Sequence, residues 1–149
     1  ESPRRSPQFV TRKVCMAAAR AARGDKTRLG LGALDSRRDW GWAPDYVAAM
    51  VQMNRRAEPG DFIVATGKSH SVADLCEVAY RTVGLNWRDY VTTDPAFVRP
   101  AEIPDLVGDP ARAGSELGWT ATVSFEDMIE RMVAHEMGTD VRRLGRRAG

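Results

Sequence analysis

Residues 60–67 read Gly60-Asp61-Phe62-Ile63-Val64-Ala65-Thr66-Gly67, and the short unbroken apolar run between the glycines has the character of a strand buried on both faces. A strand of that kind needs helices to cover it, and helical periodicity appears on both sides. Upstream, Phe9, Val10, Val14, Ala17, Ala18 and Ala21 keep the i, i+3, i+4 spacing of one helix face, and Gly24 supplies a stop. Pro44 opens a second helix whose Tyr46, Val47, Met50, Val51 and Met53 form an apolar stripe read as core. Downstream, Ser71 and Asp74 have the spacing of a capping box ahead of Leu75, Val78, Ala79 and Thr82. A short helix is predicted over Ala111–Leu117. Ser124 and Asp127 form a second capping box before Phe125, Met128, Ile129, Met132 and Val133, in a helix predicted to run to about Leu144. The pattern is α/β, helix-rich with few short strands.

The remaining segments are less regular. Leu29 and Leu31 suggest a short strand, which Gly30 and Gly32 leave open to close approach by other backbone. Pro95, Pro100 and Pro104 make the stretch from Trp87 to Asp109 extended and partly irregular, the sort of connection that carries binding groups. One confident strand among several helices is too few for a complete doubly wound domain, so a further part is expected upstream, and the first residue, Glu1, is not Met.

The chain has 149 residues and 22 Lys and Arg against 20 Asp and Glu, a formal charge of +2. So small an excess, interleaved along the chain, does not indicate a general nucleic-acid binder. Arg142, Arg143, Arg146 and Arg147 are the exception, read as a solvated helix end or a phosphate-holding tail. No apolar run approaches the roughly 20 residues needed to span a bilayer. Cys15 and Cys76 lie far apart on predicted helices, which suits a reduced, cytoplasmic protein. His70 and His135 have no partners at a metal-binding spacing, so no metal is expected. Trp40 and Trp42, on either side of Gly41, are read as packing a loop in place rather than stacking on a base.

Taken together, ESPRR (1–5), FVTRK (9–13), LDSRRDWG (34–41), FIVATG (62–67) with HSV (70–72), VRPAEI (98–103) with GD (108–109), and LGW (117–119) resemble the GDP-mannose 4,6-dehydratases of the extended short-chain dehydrogenase/reductase family, in order and nearly end to end. The resemblance implies the C-terminal, sugar-nucleotide-binding portion of an extended Rossmann-type enzyme over residues 1–149, the NADP-binding Rossmann half lying upstream of this chain. It implies a reaction in which the mannose C4 hydroxyl is oxidised by NADP, water leaves across C5 and C6, and hydride returns to C6. The family's proton-transfer residues include a Tyr-x-x-x-Lys pair. Here the residues four beyond Tyr46, Tyr80 and Tyr90 are Met50, Gly84 and Asp94, and no strand–GxxGxxG–helix unit is present. No catalytic residue is therefore expected in this chain, which by itself should be inactive.

What the resemblance leaves here is a grip on the nucleotide diphosphate. Arg38 and Arg99 would hold its phosphates from different sides, since a guanidinium offers paired planar donors and keeps its charge. Glu102 would accept from ribose hydroxyls, Lys13 would donate to guanine or ribose oxygens, and Val10 would form an apolar wall one helical turn away. Arg5 matches an arginine that reaches the cofactor, although Ser6 stands where the family has Gly, whose backbone reaches angles that Ser resists. Each of these side chains also has a plainer reading, as a surface ion pair or a solvated charge. The implied partners are GDP-mannose and further copies of the enzyme in a homo-dimer or homo-tetramer. Two other readings stay open: a stand-alone module binding a nucleotide or an acidic partner, and an epimerase or dehydratase acting on another nucleotide sugar.

Overall fold

In a computed structural model of the chain, residues 1–97 and 103–140 are described. The main core is built by three helices, α1 (Val10–Ala22), α3 (Val72–Arg81) and α5 (Phe125–Met137), which pack on one another. Val14, Cys15 and Ala18 of α1 meet Leu75, Cys76 and Ala79 of α3 and Ile129 and Val133 of α5, all essentially excluded from water. The small residues along α1 let its neighbours approach closely, while full burial of each Leu, Ile or Val contributes about 1.5–3 kcal/mol. Ser71 caps α3 as expected: its hydroxyl accepts from the Asp74 N–H at 3.0 Å, and the Asp74 carboxylate accepts from the Ser71 N–H at 2.9 Å. At α5 the Ser124 hydroxyl accepts from the Asp127 N–H at 3.0 Å, one half of the box expected there. That helix stops earlier than predicted, at Met137, because Gly138 takes a left-handed φ of 69° that closes the last turn.

The strands are short. β1 (Leu29–Leu31) runs parallel to β4 (Val91–Thr93), while β2 (Arg37–Arg38) lies between antiparallel β3 (His70–Ser71) and parallel β5 (Asp105–Leu106). A second cluster joins α2 (Ala43–Asn54) to α4 (Ala111–Leu117) through Ala49, Ala113 and Trp119, with the Tyr46 ring edge-on to Trp119 at 5.9 Å.

Two expectations are corrected. The run Phe62–Thr66 forms no strand, because no strand among the described residues offers it a ladder. Nor is it covered on both sides. Val64 packs on the second cluster and the Phe62 ring centroid lies 5.1 Å from the Arg56 guanidinium and 5.0 Å from that of Arg112, but Ile63 is 58% exposed. In α2 the stripe read as core divides into two. Tyr46, Ala49 and Met53 turn inward to the second cluster, whereas Val47, Met50 and Val51 are 55%, 57% and 43% exposed. The helix is apolar on two faces, and only one meets a neighbour among the described residues.

Candidate nucleotide-binding site

The β2 strand separates two consecutive arginines. Arg37 turns away to Ser69, donating to its carbonyl at 2.6 Å and its hydroxyl at 3.3 Å, and stands 3.7 Å from the Asp74 carboxylate. Arg38 points the other way, as alternation along a strand requires, and its Nη1 donates to the carbonyls of Arg37 at 2.6 Å and Ile103 at 2.7 Å. It lines a cavity of about 630 Å³.

That cavity lies where five segments converge, one of them the start of α3 at Val72. The start of α1 brings Phe9, Val10 and Lys13, the turn after β1 brings Gly32 and Ala33, β2 brings Arg38 with Trp40 just beyond it, and a single 3-10 turn, Pro95–Phe97, brings Ala96 and Phe97. Trp40 is 8% exposed and stacks on Phe125 at 6.0 Å between ring centroids, while Phe125 stacks in turn on the His70 ring at 3.9 Å. The packing role read for Trp40 is therefore the one it has, although the residue also forms part of the cavity wall. Lys13 and Arg38 bring two cations to the cavity, and no carboxylate is among the described residues lining it. A low-dielectric hollow lined by charges of one sign favours an anion.

The carboxylate of Asp39 fixes the backbone beside Arg38. It accepts from the Thr66 N–H at 3.0 Å, the Thr66 hydroxyl at 2.6 Å, the Gly67 N–H at 2.9 Å and the Gly108 N–H at 3.4 Å. The FIVATG and GD stretches thus meet at the acid of the RDWG stretch. Gly108 is required there, because a side chain on it would run into the Ala65 methyl and come within 3.1 Å of Ile63 Cγ2.

Of the residues singled out from the sequence, Val10, Lys13 and Arg38 come together at the cavity. Arg99, Glu102 and the arginines at 142–147 lie outside the described residues. Arg5 does not line the cavity: its guanidinium lies 3.6 Å from the Phe9 ring centroid and its Nε 3.4 Å from the Glu1 carboxylate. Ser6 does not distort its turn, since no non-glycine residue among those described has positive φ. Gly30 lies beside the β4 backbone, opposite Thr92, and a side chain on it would stand 3.4 Å from the Asp94 and Phe97 side chains. Sequence reasoning passes over Phe97 and Asp39. The one has a signal in its position within the proline-broken stretch, and the other stands directly beside Arg38.

Tyr46 and Tyr80 stand away from the residues around the cavity, and both hydroxyls hold their protons more tightly than usual. Burial, with the nearby carboxylates of Asp39, Glu1 and Asp45, pushes the Tyr46 hydroxyl up to about 12, and Tyr80 is likewise pushed up to about 12, chiefly by burial. A general acid or base working near neutral pH needs the opposite shift. Among the described residues no group of three or more His, Cys, Asp or Glu side chains could hold a metal ion, and no helix is long and apolar enough to cross a membrane.

Known proteins resemble this chain in sequence and in fold. The sequence profile of the family described as GDP-mannose 4,6 dehydratase matches residues 1–132. GDP-mannose 4,6 dehydratase 2 of Arabidopsis thaliana is 44% identical over 137 residues, which cover 92% of this chain and 37% of the relative. The human GDP-mannose 4,6 dehydratase is 37% identical over 150 residues, covering 89% of this chain and 40% of the relative. The chain thus spans well under half the length of these curated relatives. Among solved structures, RMD from Pseudomonas aeruginosa complexed with NADPH superposes with a TM-score of 0.83 at 21% identity, over 92% of this chain and 45% of that one, a likeness of fold. With its motif series, its fold and a profile match over most of its length, the chain belongs to the GDP-mannose 4,6 dehydratase family.

Proposed function

We propose that this chain is the GDP-sugar-binding part of an enzyme that converts GDP-mannose to GDP-4-keto-6-deoxymannose and water. The carrying observation is the cavity at which Val10, Lys13 and Arg38 converge, lined by two cations and, among the described residues, no carboxylate. Arg38 binds a phosphate oxygen of the diphosphate, Lys13 an oxygen of the base or ribose, and Val10 supplies an apolar wall. Arg99 would close on the diphosphate from the second side and Glu102 on the ribose.

The redox half of the reaction belongs to an upstream dinucleotide-binding half that holds NADP, with Arg5 reaching toward it. NADP, when bound, would accept and return the hydride. The relatives named GDP-mannose 4,6 dehydratase are more than twice as long as the matched stretch, and the fold neighbour from Pseudomonas aeruginosa was solved with NADPH. The uncovered face of α2 at Val47, Met50 and Val51, with Ile63 close in kind, supports the same division: an apolar face of that sort suits a neighbouring layer. With no Tyr-x-x-x-Lys pair the chain alone is inactive, and the intact enzyme works in the cytoplasm as a homo-dimer or homo-tetramer.

Calorimetric titration of the chain with GDP-mannose, GDP and UDP-glucose, with Arg38→Ala as control, tests the site. Saturable heat that prefers the guanine nucleotides and disappears in the variant is expected. A chain shown to be folded that binds none of them, or prefers UDP-glucose, overturns the assignment. For the activity, the same chain joined to its upstream half should dehydrate GDP-mannose, and an intact enzyme that dehydrates a different nucleotide sugar instead would sink the reading.

A further inference from the structure

We propose that Phe97 is the specificity-determining wall of this site, its exposed ring stacking on the flat face of a guanine base while Lys13 donates to the base's oxygen; the inference rests on the nucleotide reading of the cavity given above.

The position of Phe97 is built rather than incidental. The Asp94 N–H donates to the Leu31 carbonyl at 2.7 Å, which anchors the 3-10 turn to the end of β1. The Asp94 carboxylate then accepts from the Ala96 N–H at 2.9 Å, and the Asp94 carbonyl accepts from the Phe97 N–H at 3.0 Å. The ring is set down on glycine: a Cβ added at Gly30 would lie 3.4 Å from Phe97 Cε2. Phe97 joins neither apolar cluster and remains 55% exposed, yet it lines the cavity, and Lys13 Nζ stands 5.4 Å from its ring centroid.

A single exposed phenylalanine on a surface is ordinary. One held by a hydrogen-bonded turn at the rim of a cationic cavity, with a lysine over its ring, has the composition of a base-binding platform. The aromatic face is tolerant of which base it meets but favours the larger overlap of a purine over a pyrimidine. Lys13 supplies the finer choice. An ammonium has donors only, so it matches the O6 and N7 acceptors of guanine and is opposed by the amino group that adenine carries in place of O6. On binding, its interaction with the Phe97 ring gives way to a charge-assisted hydrogen bond, the stronger of the two. Arg38 acts on phosphate and is blind to the base.

That division of labour separates the variants. When the 149-residue chain is titrated with GDP and UDP, Phe97→Ala should weaken GDP about tenfold or more while changing UDP by less than about threefold, because the ring stacks more strongly on a purine than on a pyrimidine. Phe97→Trp should keep the guanine preference, and Arg38→Ala should weaken both nucleotides by a similar factor. Because Phe97 is exposed, its variants should keep the far-ultraviolet circular dichroism and melting midpoint of the parent. Folded Phe97→Ala with an unchanged GDP-to-UDP ratio overturns the proposal while leaving the nucleotide site intact. Failure of the unmutated, folded chain to bind either nucleotide removes the underlying site reading, and is seen before any substitution is made.

Discussion

Asp39 and Thr66, 27 residues apart, are joined twice: one carboxylate oxygen of Asp39 accepts both the backbone N–H of Thr66 at 3.0 Å and its hydroxyl at 2.6 Å. The second oxygen accepts from Gly67 and Gly108 at 2.9 and 3.4 Å, so one side chain ties two distant loops to the strand that carries Arg38. Asp39→Asn keeps an acceptor for Thr66 but turns an amide donor toward the N–H groups of Gly67 and Gly108. We expect a loss of about 1–3 kcal/mol in denaturant unfolding, the cost of unsatisfied donors. A double-mutant cycle with Thr66→Val should show a coupling of about 0.5–3 kcal/mol, and purely additive losses would count against the clamp.

The buried Asp45, in the first turn of α2, makes the corresponding link in the second cluster. Its carboxylate accepts from the Thr122 N–H at 2.8 Å, the Thr122 hydroxyl at 2.7 Å and the Val123 N–H at 3.1 Å, and its backbone carbonyl accepts from the Trp119 indole N–H at 2.8 Å. Asp45→Ala leaves the Thr122 and Val123 donors without the carboxylate and removes an anion from a helix N-terminus, for an expected loss of about 2–4 kcal/mol. Thermal melting followed by tryptophan fluorescence reads the loss. A midpoint that barely moves would show that water replaces the carboxylate freely.

Acid should loosen the start of α3. Burial works against the Asp74 carboxylate, but the hydrogen bonds to Ser71, with Arg37 and His70 nearby, outweigh it and hold its pKa below the ordinary 3.8. A carboxylate depressed in the folded state stabilises above its unfolded pKa, and that contribution disappears as pH falls through the folded value. Stability should therefore decline from about pH 4 downward, and Asp74→Asn should flatten that part of the profile. Half of the Asp74 side chain is exposed, so solvent screening keeps the effect modest. At neutral pH, Ser71→Ala should cost about 1 kcal/mol. An unchanged acid limb in Asp74→Asn would remove this residue from the account.

Both cysteines should be silent in the native protein. Burial first, then the negative charges of Glu136 and Glu1, pushes the Cys15 thiol far above its usual value, and burial alone pushes Cys76 up to about 12. Since the thiolate is the reactive form, an aromatic disulfide reagent at mildly alkaline pH should titrate neither thiol in the folded chain and both in denaturant. Rapid labelling of either one under native conditions would mean that the α1–α3–α5 core opens readily.

Helix positions were legible because each helix carries its own punctuation. Ser71 with Asp74, Pro44, and the spacing of Val14, Ala17, Ala18 and Ala21 are local signals, and Ala111–Leu117 appears as expected. The strand expected at Phe62–Thr66 was not legible in this way, because a strand is defined by the partner beside it and none is present among the described residues. Val47, Met50 and Val51 show the same gap. Periodicity reveals an apolar face, but what covers the face is decided elsewhere.

For the site, the sequence by itself determined the family through the order of its motifs, and with it three of the residues that meet at the cavity, Val10, Lys13 and Arg38. Only the tertiary structure decided that Arg37 turns away while Arg38 faces the cavity, that Arg5 stays outside it, and that Phe97 and Asp39 take part. The reason is physical: residue type and spacing set which chemistry a side chain offers and which local element it joins. Direction and neighbours follow from contacts between segments far apart in the chain, such as Asp39 with Thr66 and Asp94 with Leu31.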